Sequence, residues 1–284
     1  MEENSLFGPD WPNSKQETNS NKLKKKLDYL YELYCTPEFI LSDPIQFVYR
    51  FSEERDKEVA GFIASVMSQG KREKIISKTE ELLFNVMKGT PYEYTINFDI
   101  DSLPDKLRNF SYFAYRNILG EEIGYVIYSV GKVLRRWGSL KNLFYEAYQN
   151  NKSSKNVREI LIYVVDKMLG WNNSLSSAIY SLIPTPKRGS ACKRLNMFLR
   201  WMVRKDRVDT GLWSDVIPTS ALVIPLDFHV LRVSREFGLT KRNQNDWLTA
   251  EEITEKLKEF DPMDPIKYDF AIFGYGVTRK DINS

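Results

Sequence analysis

The chain has 284 residues, of which 42% are hydrophobic and 28% are charged, so it can bury a sizeable core and is too hydrophobic for wholesale disorder. Its formal net charge of +3 does not by itself indicate a nucleic-acid-binding protein. Two cysteines are too few for a disulfide framework, a four-cysteine zinc site or a four-thiolate iron–sulfur cluster. We therefore expect no metal, no cofactor and a reducing, cytoplasmic location.

The first twenty residues carry acidic and amide groups where a secretory signal would carry a basic region and an apolar run. They predict a disordered tail over residues 1–20, followed by one domain over residues 21–284. The sequence contains no run of 18 apolar residues, and its mean hydropathy is −0.43. We therefore expect no membrane span, and we expect a monomer.

From Asn21 onward, apolar residues recur at steps of three and four, which predicts amphipathic helices almost throughout. The pattern is clear over residues 59–66, 124–137 and 157–169, whereas period-two alternation is confined to fragments such as residues 94–98. We predict an all-α bundle of about ten short helices without a parallel sheet. The predicted breaks are Thr36-Pro37, Asp43-Pro44, Gly89-Thr90-Pro91, Leu103-Pro104, Pro184-Thr185-Pro186 and Asp261-Pro262.

The densest basic segment is residues 187–207, where eight lysines and arginines accompany the single acid Asp206. If residues 191–204 form one helix, Leu195, Phe198, Leu199 and Met202 share one face. Lys193, Arg200 and Arg204 then share the opposite face. Such a face is either an ordinary solvated surface or a binding surface for anions, and the clustering of one sign favours binding.

A second feature is the segment Pro225-Leu226-Asp227-Phe228-His229, which precedes a helical pattern that ends at Gly238. Asp227 occupies the position of a helix N-cap, which is also its simplest interpretation. His229 is the only histidine in the chain, so neither a histidine-rich metal site nor a relay of two imidazoles can form.

These residues resemble the helix-hairpin-helix DNA glycosylases. The segment Asp227-x-His229 is similar to the Asp-x-His motif of that superfamily, in which the aspartate assists cleavage of the glycosidic bond. Lys193-x-x-x-x-Phe198-Leu199-Arg200 resembles the helix with the catalytic lysine in archaeal 8-oxoguanine glycosylase/lyases. The resemblance implies a two-lobed helical bundle with an active-site cleft near residues 185–235.

Weaker similarities extend this resemblance to residues 59–276. Residues 63–69 look like the helix end from which those enzymes insert a wedge into DNA, with Gln69 at the matching position. Residues 269–276 are similar to the closing helix of the superfamily. The whole-chain pattern also resembles a bacterial family without an assigned function.

The hairpin departs from the usual pattern of that superfamily, which has two glycines one residue apart and the lysine two residues further on. Here the segment has one glycine, Gly189, four residues before Lys193. The separation of 34 residues from Lys193 to Asp227 also exceeds that in the common bacterial enzymes. Lys187 therefore remains an alternative nucleophile.

The resemblance implies that Lys193 attacks C1′ of the sugar and that Asp227 handles protons or stabilises the cationic sugar. An ordinary lysine is protonated at pH 7, so attack requires burial or neighbouring cations such as Arg194, Arg200 and Arg204. The target base must also leave the duplex, which requires a plug, a base pocket and contacts to phosphates. The candidates for contacting DNA are Gln69, Lys71, Arg72, Lys187, Arg188, Gly189, Ser190 and Arg194, and those for the base pocket are Trp201, Trp213 and His229.

The sequence thus favours a DNA repair glycosylase, with or without abasic-site lyase activity, that removes an oxidised base from damaged double-stranded DNA. Two alternatives stay open. A non-catalytic DNA- or RNA-binding protein on the same scaffold would explain the altered hairpin. A helical protein–protein adaptor would explain the helices, but not a lysine and an aspartate at the matching positions.

Overall fold

A computed structural model describes residues 18–99, 120–170 and 177–282. Within these ranges the chain forms fourteen α-helices and no β-strand, which confirms the all-α prediction. The predicted break at Leu103-Pro104 and nearly all of the predicted tail lie outside the described residues. The first seven helices are α1 (Asn19–Tyr34), α2 (Pro37–Ser42), α3 (Gln46–Tyr49), α4 (Glu54–Met67), α5 (Arg72–Glu80), α6 (Pro91–Ile96) and α7 (Gly120–Trp137). The other seven are α8 (Leu140–Asn150), α9 (Arg158–Leu169), α10 (Ser177–Leu182), α11 (Lys193–Val203), α12 (Phe228–Glu236), α13 (Trp247–Lys258) and α14 (Tyr268–Ile282).

Local sequence explains where many of these helices begin. Pro37 and Pro91 occupy first helical positions, where a missing N–H costs nothing. Ser139 and Asp246 cap α8 and α13 by accepting backbone N–H bonds. The described ranges contain fourteen helices instead of about ten because elements such as α2 and α3 are too short to show a helical period.

The alternating fragment at residues 94–98 does not form a strand. Its first three residues belong to α6, which Pro91 begins and which Asp56 anchors by accepting the N–H of Tyr92 at 2.9 Å. A proline start and a side-chain bond at the first turn therefore outweigh the short alternation.

The main helix contacts divide into two packing groups. In the first group, α1 packs on α14, α14 packs on α12, and α13 joins them through the short turn Pro265–Lys267. In the second group, α4 packs against α3, α5, α6, α8 and α11. The α1–α14 contact is close at Gly274, where a Cβ atom would lie 2.2 Å from Cγ of Tyr34.

A buried ionic network joins the two groups at α11. Arg204 donates to both carboxylate oxygens of Asp264 at 2.8 Å, and Arg200 donates to Asp269 at the start of α14. Both arginines also bond to Asp209 in the loop after α11. The carboxyl end of α11 is therefore bonded to the start of α14 and to the turn before it. None of the described helices is both long enough and apolar enough to cross a membrane.

Candidate active site

Lys193 and Asp227, which are 34 residues apart in sequence, lie together where the two packing groups meet. Lys193 is the first residue of α11, and Asp227 is the N-cap of α12. The Nζ atom of Lys193 is 3.0 Å from Oδ2 of Asp227. The side chains are 35% and 18% exposed, so the pair is shielded but remains within reach of a ligand.

An irregular turn carries the chain into α11 and places Lys193. Residues 186–188 form one turn of 3₁₀ helix, which ends at Gly189 in the left-handed conformation with φ 77°. Cys192 is also left-handed, with φ 49°, although it is not glycine. Ser190 supports it, because its Oγ accepts the N–H of Cys192 at 3.1 Å. A left-handed backbone at a residue other than glycine is strained and persists only where the surrounding structure imposes it. Such strain is concentrated at functional sites.

Asp227 is held by the first turn of α12, which confirms the predicted N-cap. Its Oδ1 accepts the backbone N–H groups of His229 and Val230 at 2.8 and 2.9 Å. Burial alone would raise the pKa of Asp227, but the Lys193 charge and the Val230 N–H together lower it below its usual range. Asp227 is therefore a carboxylate at neutral pH, which suits it to stabilising a nearby cation.

A groove of about 600 Å³ lies on one side of this pair. It contains three basic side chains, Arg188, Lys193 and Arg194, and Asp227 is its only acid, so we call it the basic groove. Phe228, the residue after Asp227, also lines the basic groove, and its aromatic side chain is exposed. Its other lining residues are Ser68, Gln69, Gly70, Tyr180, Ser181, Pro184, Thr185, Ser190, Ala191, Cys192, Leu226 and Asn245.

A second cavity, of about 540 Å³, lies on the other side of the pair, and its volume is within the range of small-molecule sites, roughly 300–1,000 Å³. It adds three carboxylates, Asp43, Glu73 and Asp269, so we call it the carboxylate pocket. No group of His, Cys, Asp and Glu suited to a metal ion occurs in the described part of the chain. The other lining residues include Phe39, Pro44, Arg72, Ile75, Met197, Arg200, Pro225, His229, Val230, Phe273 and Val277. Lys193, Asp227, Ser68 and Gly70 line both cavities.

The structure separates the predicted DNA contacts into those in the basic groove and those outside it. Gln69, Arg188, Ser190 and Arg194 line the groove, whereas Lys71, Lys187 and Gly189 line neither cavity, and Arg72 lines the carboxylate pocket. Lys187 is exposed, with Nζ 3.7 Å from Oδ2 of Asp166. Of the two candidate lysines, only Lys193 lines the cavities.

Two of the predicted groove contacts have their side chains engaged within the protein. The guanidinium of Arg194 donates to the backbone carbonyls of Val66 and Ser181. Burial lowers the pKa of Arg194 to about 10, which leaves it charged at neutral pH. Arg188 lies over the ring of Tyr180, with Cζ 3.7 Å from the ring centroid, and stays exposed. Arg188 is therefore the better placed of the two to contact a phosphate.

The placement of Trp201 and Trp213 in a base pocket is wrong. Both side chains are fully buried in the core and line neither cavity. Trp213 packs on Phe198 with ring centroids 5.1 Å apart, and its Nε1 donates to Glu58 at 3.1 Å. Large aromatic side chains are dominant contributors to cores, and a single sequence cannot show which of them reach a cavity. His229, in contrast, is half-buried and lines the carboxylate pocket.

The prediction that Arg200 and Arg204 belong to an exposed cationic face of α11 is also wrong. The predicted apolar face is buried as expected, but these two arginines are only 5% and 1% exposed, and both bond to aspartates. Asp264 lies 60 residues after Arg204, and Asp269 lies 69 residues after Arg200, so no local pattern reveals these two partners. Because these carboxylates compensate the charges, Arg194 is the remaining predicted cation next to Lys193.

Sequence reasoning missed most of the carboxylate pocket. Phe39 and Phe273 flank the Arg72 guanidinium, whose Cζ lies 5.6 and 5.4 Å from their ring centroids. Asp43 was noticed only as the residue before Pro44, at a helix break. Its burial is visible only once α2, α5, α11 and α14 are assembled around it.

Comparison with known protein families matches residues 43–278 to the family described as "Protein of unknown function (DUF2400)". The matched region includes both Lys193 and Asp227 and all but Phe39 among the residues of the carboxylate pocket. Neither a curated protein nor a solved structure matches the chain. Because the match covers well over half of its length, the chain belongs to the DUF2400 family.

Proposed function

We propose that this protein is a DNA glycosylase of the helix-hairpin-helix type, with abasic-site lyase activity, that acts on damaged double-stranded DNA. The observation that carries the proposal is the 3.0 Å contact between Lys193 Nζ and Asp227 Oδ2 at the boundary between the basic groove and the carboxylate pocket. An amine and a carboxylate in contact are the two groups that covalent glycosidic cleavage needs.

The two cavities support complementary roles. The basic groove has a positive balance of charge and an exposed aromatic side chain, which suits a phosphate backbone and an unstacked base. The carboxylate pocket has aromatic and apolar side chains together with polar groups, which suits a base turned out of the duplex. The sugar that joins phosphate to base would then lie beside Lys193.

The proposed chemistry transfers one proton from the lysine to the departing base. Asp227 Oδ2 accepts a proton from Lys193, and the neutral amine forms a bond to C1′ of the sugar. The bond between C1′ and the base nitrogen breaks, its electron pair leaves with the base, and the base takes the proton from Asp227. The nitrogen of Lys193 then gives a proton to O4′ of the sugar and forms a double bond to C1′ as the bond between C1′ and O4′ breaks, which gives a Schiff base between Lys193 and C1′.

The test is to trap this Schiff base. Wild-type protein incubated with a duplex that contains an abasic site or an oxidised purine, and then treated with borohydride, should form a covalent adduct visible as a shifted band on a denaturing gel. Lys193→Gln should abolish the adduct. Lys187→Gln is the matched control and should retain it, because Lys187 lies outside both cavities.

Two results would contradict the proposal in different ways. An adduct that persists in Lys193→Gln and disappears in Lys187→Gln would assign the nucleophile to Lys187 while keeping the enzyme class. If the wild-type protein forms no adduct and releases no base across a broad panel of lesions but still binds duplex DNA, the non-catalytic alternative replaces the enzyme.

A further inference from the structure

Asp43 is a buried carboxylate in the wall of the carboxylate pocket, and the proposed chemistry does not use it. It ends α2, lies directly before Pro44, and is only 8% exposed. Lys193, Asp227, Phe39 and Asp43 all line this one cavity. A base held beside Lys193 would therefore come within reach of Asp43.

The bonding of Asp43 differs from that of the other buried aspartates. Its Oδ1 accepts the N–H of Ile45 at 3.1 Å, but no side chain in the described ranges forms an ion pair with it. Asp209 and Asp269, in contrast, both bond directly to Arg200. Among the described residues, none donates a hydrogen bond to the second oxygen of Asp43, Oδ2, and Asp43 lines the carboxylate pocket.

Burying a carboxylate in this way is unfavourable unless a ligand compensates for it. Burial raises the pKa of Asp43, and the more distant charges of Arg200, Arg72 and Lys193 oppose that rise. The bond to Ile45 stabilises the turn before α3, but such turns form equally well at exposed positions. A buried acceptor without a donor points to a donor supplied by the ligand.

The charges of Arg200, Arg72 and Lys193 favour the ionised form of Asp43. An ionised carboxylate only accepts hydrogen bonds, which restricts the bases that it can bind. A guanine-type edge presents two adjacent donors, N1–H and the 2-amino group. Adenine-type and cytosine-type edges place an acceptor beside their donor, and that acceptor would face the carboxylate unfavourably. Removal of the 2-amino group, as in hypoxanthine, leaves one donor of the two.

We propose that Asp43 is the specificity-determining residue of the site and selects everted bases whose Watson–Crick edge presents two adjacent N–H donors. This inference rests on the proposed function, because it requires a base in the carboxylate pocket. Asp43 acts on the choice of base and takes no part in the bond to C1′.

The test compares three duplexes that carry the same oxidised imidazole ring and differ only in the Watson–Crick edge: 8-oxoguanine, 8-oxohypoxanthine and 8-oxoadenine. Wild-type protein should remove 8-oxoguanine fastest and 8-oxoadenine slowest, with about tenfold or more between these two. Asp43→Asn keeps an oxygen for the Ile45 N–H and adds a donor, so it should fold and should reduce this preference by about tenfold. Asp215→Asn removes an exposed carboxylate that lines neither cavity and should keep the preference within about twofold.

An abasic duplex separates failure of this inference from failure of the proposed function. It carries no base, so borohydride trapping of the wild-type protein on it tests the reaction of Lys193 without any selection of a base. Absence of trapping by the wild-type protein would overturn the proposed function and the inference with it. If the wild-type protein is trapped normally, three results would each overturn the inference alone. They are equal removal of all three bases, no removal of 8-oxoguanine, and an Asp43→Asn preference like that of the wild-type protein. Even if Asp43→Asn fails to fold, the ratio of 8-oxoguanine removal to 8-oxoadenine removal by the wild-type protein tests the inference.

Discussion

Asp227 combines a structural and a chemical contact, and the two contacts use different oxygen atoms. Oδ1 accepts the backbone N–H groups of α12, whereas Oδ2 contacts Lys193. The sequence predicted the cap because its signal is local: a proline-containing entry, an aspartate and a helical pattern. The distance to Lys193 depends on how α11 and α12 pack, and for that contact the sequence offered only a family resemblance.

Because the two roles are divided between atoms, Asp227→Asn should separate them. Asparagine caps helices about as well as aspartate, so the free energy of unfolding should change by less than about 1 kcal/mol. Trapping and base removal should fall by about 10²-fold or more, since the neutral amide can neither accept the lysine proton nor stabilise a cation. Urea denaturation and single-turnover kinetics measure the two effects.

Asp227→Ala is the comparison for this variant, because it removes the cap as well as the charge. It should lose about 1 kcal/mol more stability than Asp227→Asn. Equal base removal by Asp227→Asn and wild-type protein would show that the carboxylate has no chemical role.

At the scale of the secondary-structure elements, α11 shows what helical periodicity can and cannot predict. The face with Leu195 and Phe198 is buried, as the spacing of apolar residues indicates. On the opposite face Arg200 and Arg204 are buried too, and they bond to aspartates of the following loop, of the turn before α14 and of α14 itself. Periodicity identifies one buried face, but it does not reveal a second face that is covered by distant charged partners.

Arg204 should therefore be important for stability rather than for binding an anion. Arg204→Met leaves the carboxylates of Asp209 and Asp264 without a shared partner in a buried site. It should lower the free energy of unfolding by about 3–5 kcal/mol, as expected when one member of a buried ion pair is removed. Chemical denaturation monitored by circular dichroism measures the loss.

Arg207→Met is the matched control for that measurement. Arg207 also contacts an acid, Glu32 at 3.0 Å, but both side chains are largely exposed. Arg207→Met should lower the free energy of unfolding by less than about 1 kcal/mol. Equal losses in the two variants would contradict a stabilising role for the buried network.

At the scale of the whole molecule, composition and periodicity were sufficient for the all-α class, while the shape of the site depended on tertiary contacts. The carboxylate pocket takes residues from α2, α5, α11, α12, α14 and the turns beside them. Its members are spread over most of the chain, so no segment of sequence contains its pattern. The two tryptophans were misplaced for the same reason, because core and cavity differ only in three dimensions.

The charge of the whole molecule is small, so binding to a duplex should depend on the basic groove. The logarithm of the association constant should fall with the logarithm of salt concentration by about 0.9 for each phosphate contact. Arg188→Ala should reduce that slope by about 0.9, and fluorescence anisotropy from about 50 to 200 mM salt measures it.

Arg136→Ala provides the control for the salt measurement, because Arg136 is exposed in α7 and lines neither cavity. Its slope should equal that of the wild-type protein. An affinity that hardly changes with salt in the wild-type protein would contradict electrostatic binding through this groove.

The contact between α1 and α14 has a consequence for the order in which the protein is made. The hydroxyl of Tyr268 donates to Asp28 at 2.7 Å across 240 residues, so α1 can pack against α14 only after α14 has been made. The helices α2 to α11, in contrast, form a contiguous unit that can pack as it leaves the ribosome. Lys193 belongs to that early unit, and Asp227 belongs to the group that is completed last. A nascent chain therefore carries Lys193 in a packed unit before the group that holds Asp227 is complete, and the pair is fixed only after α14 has been made.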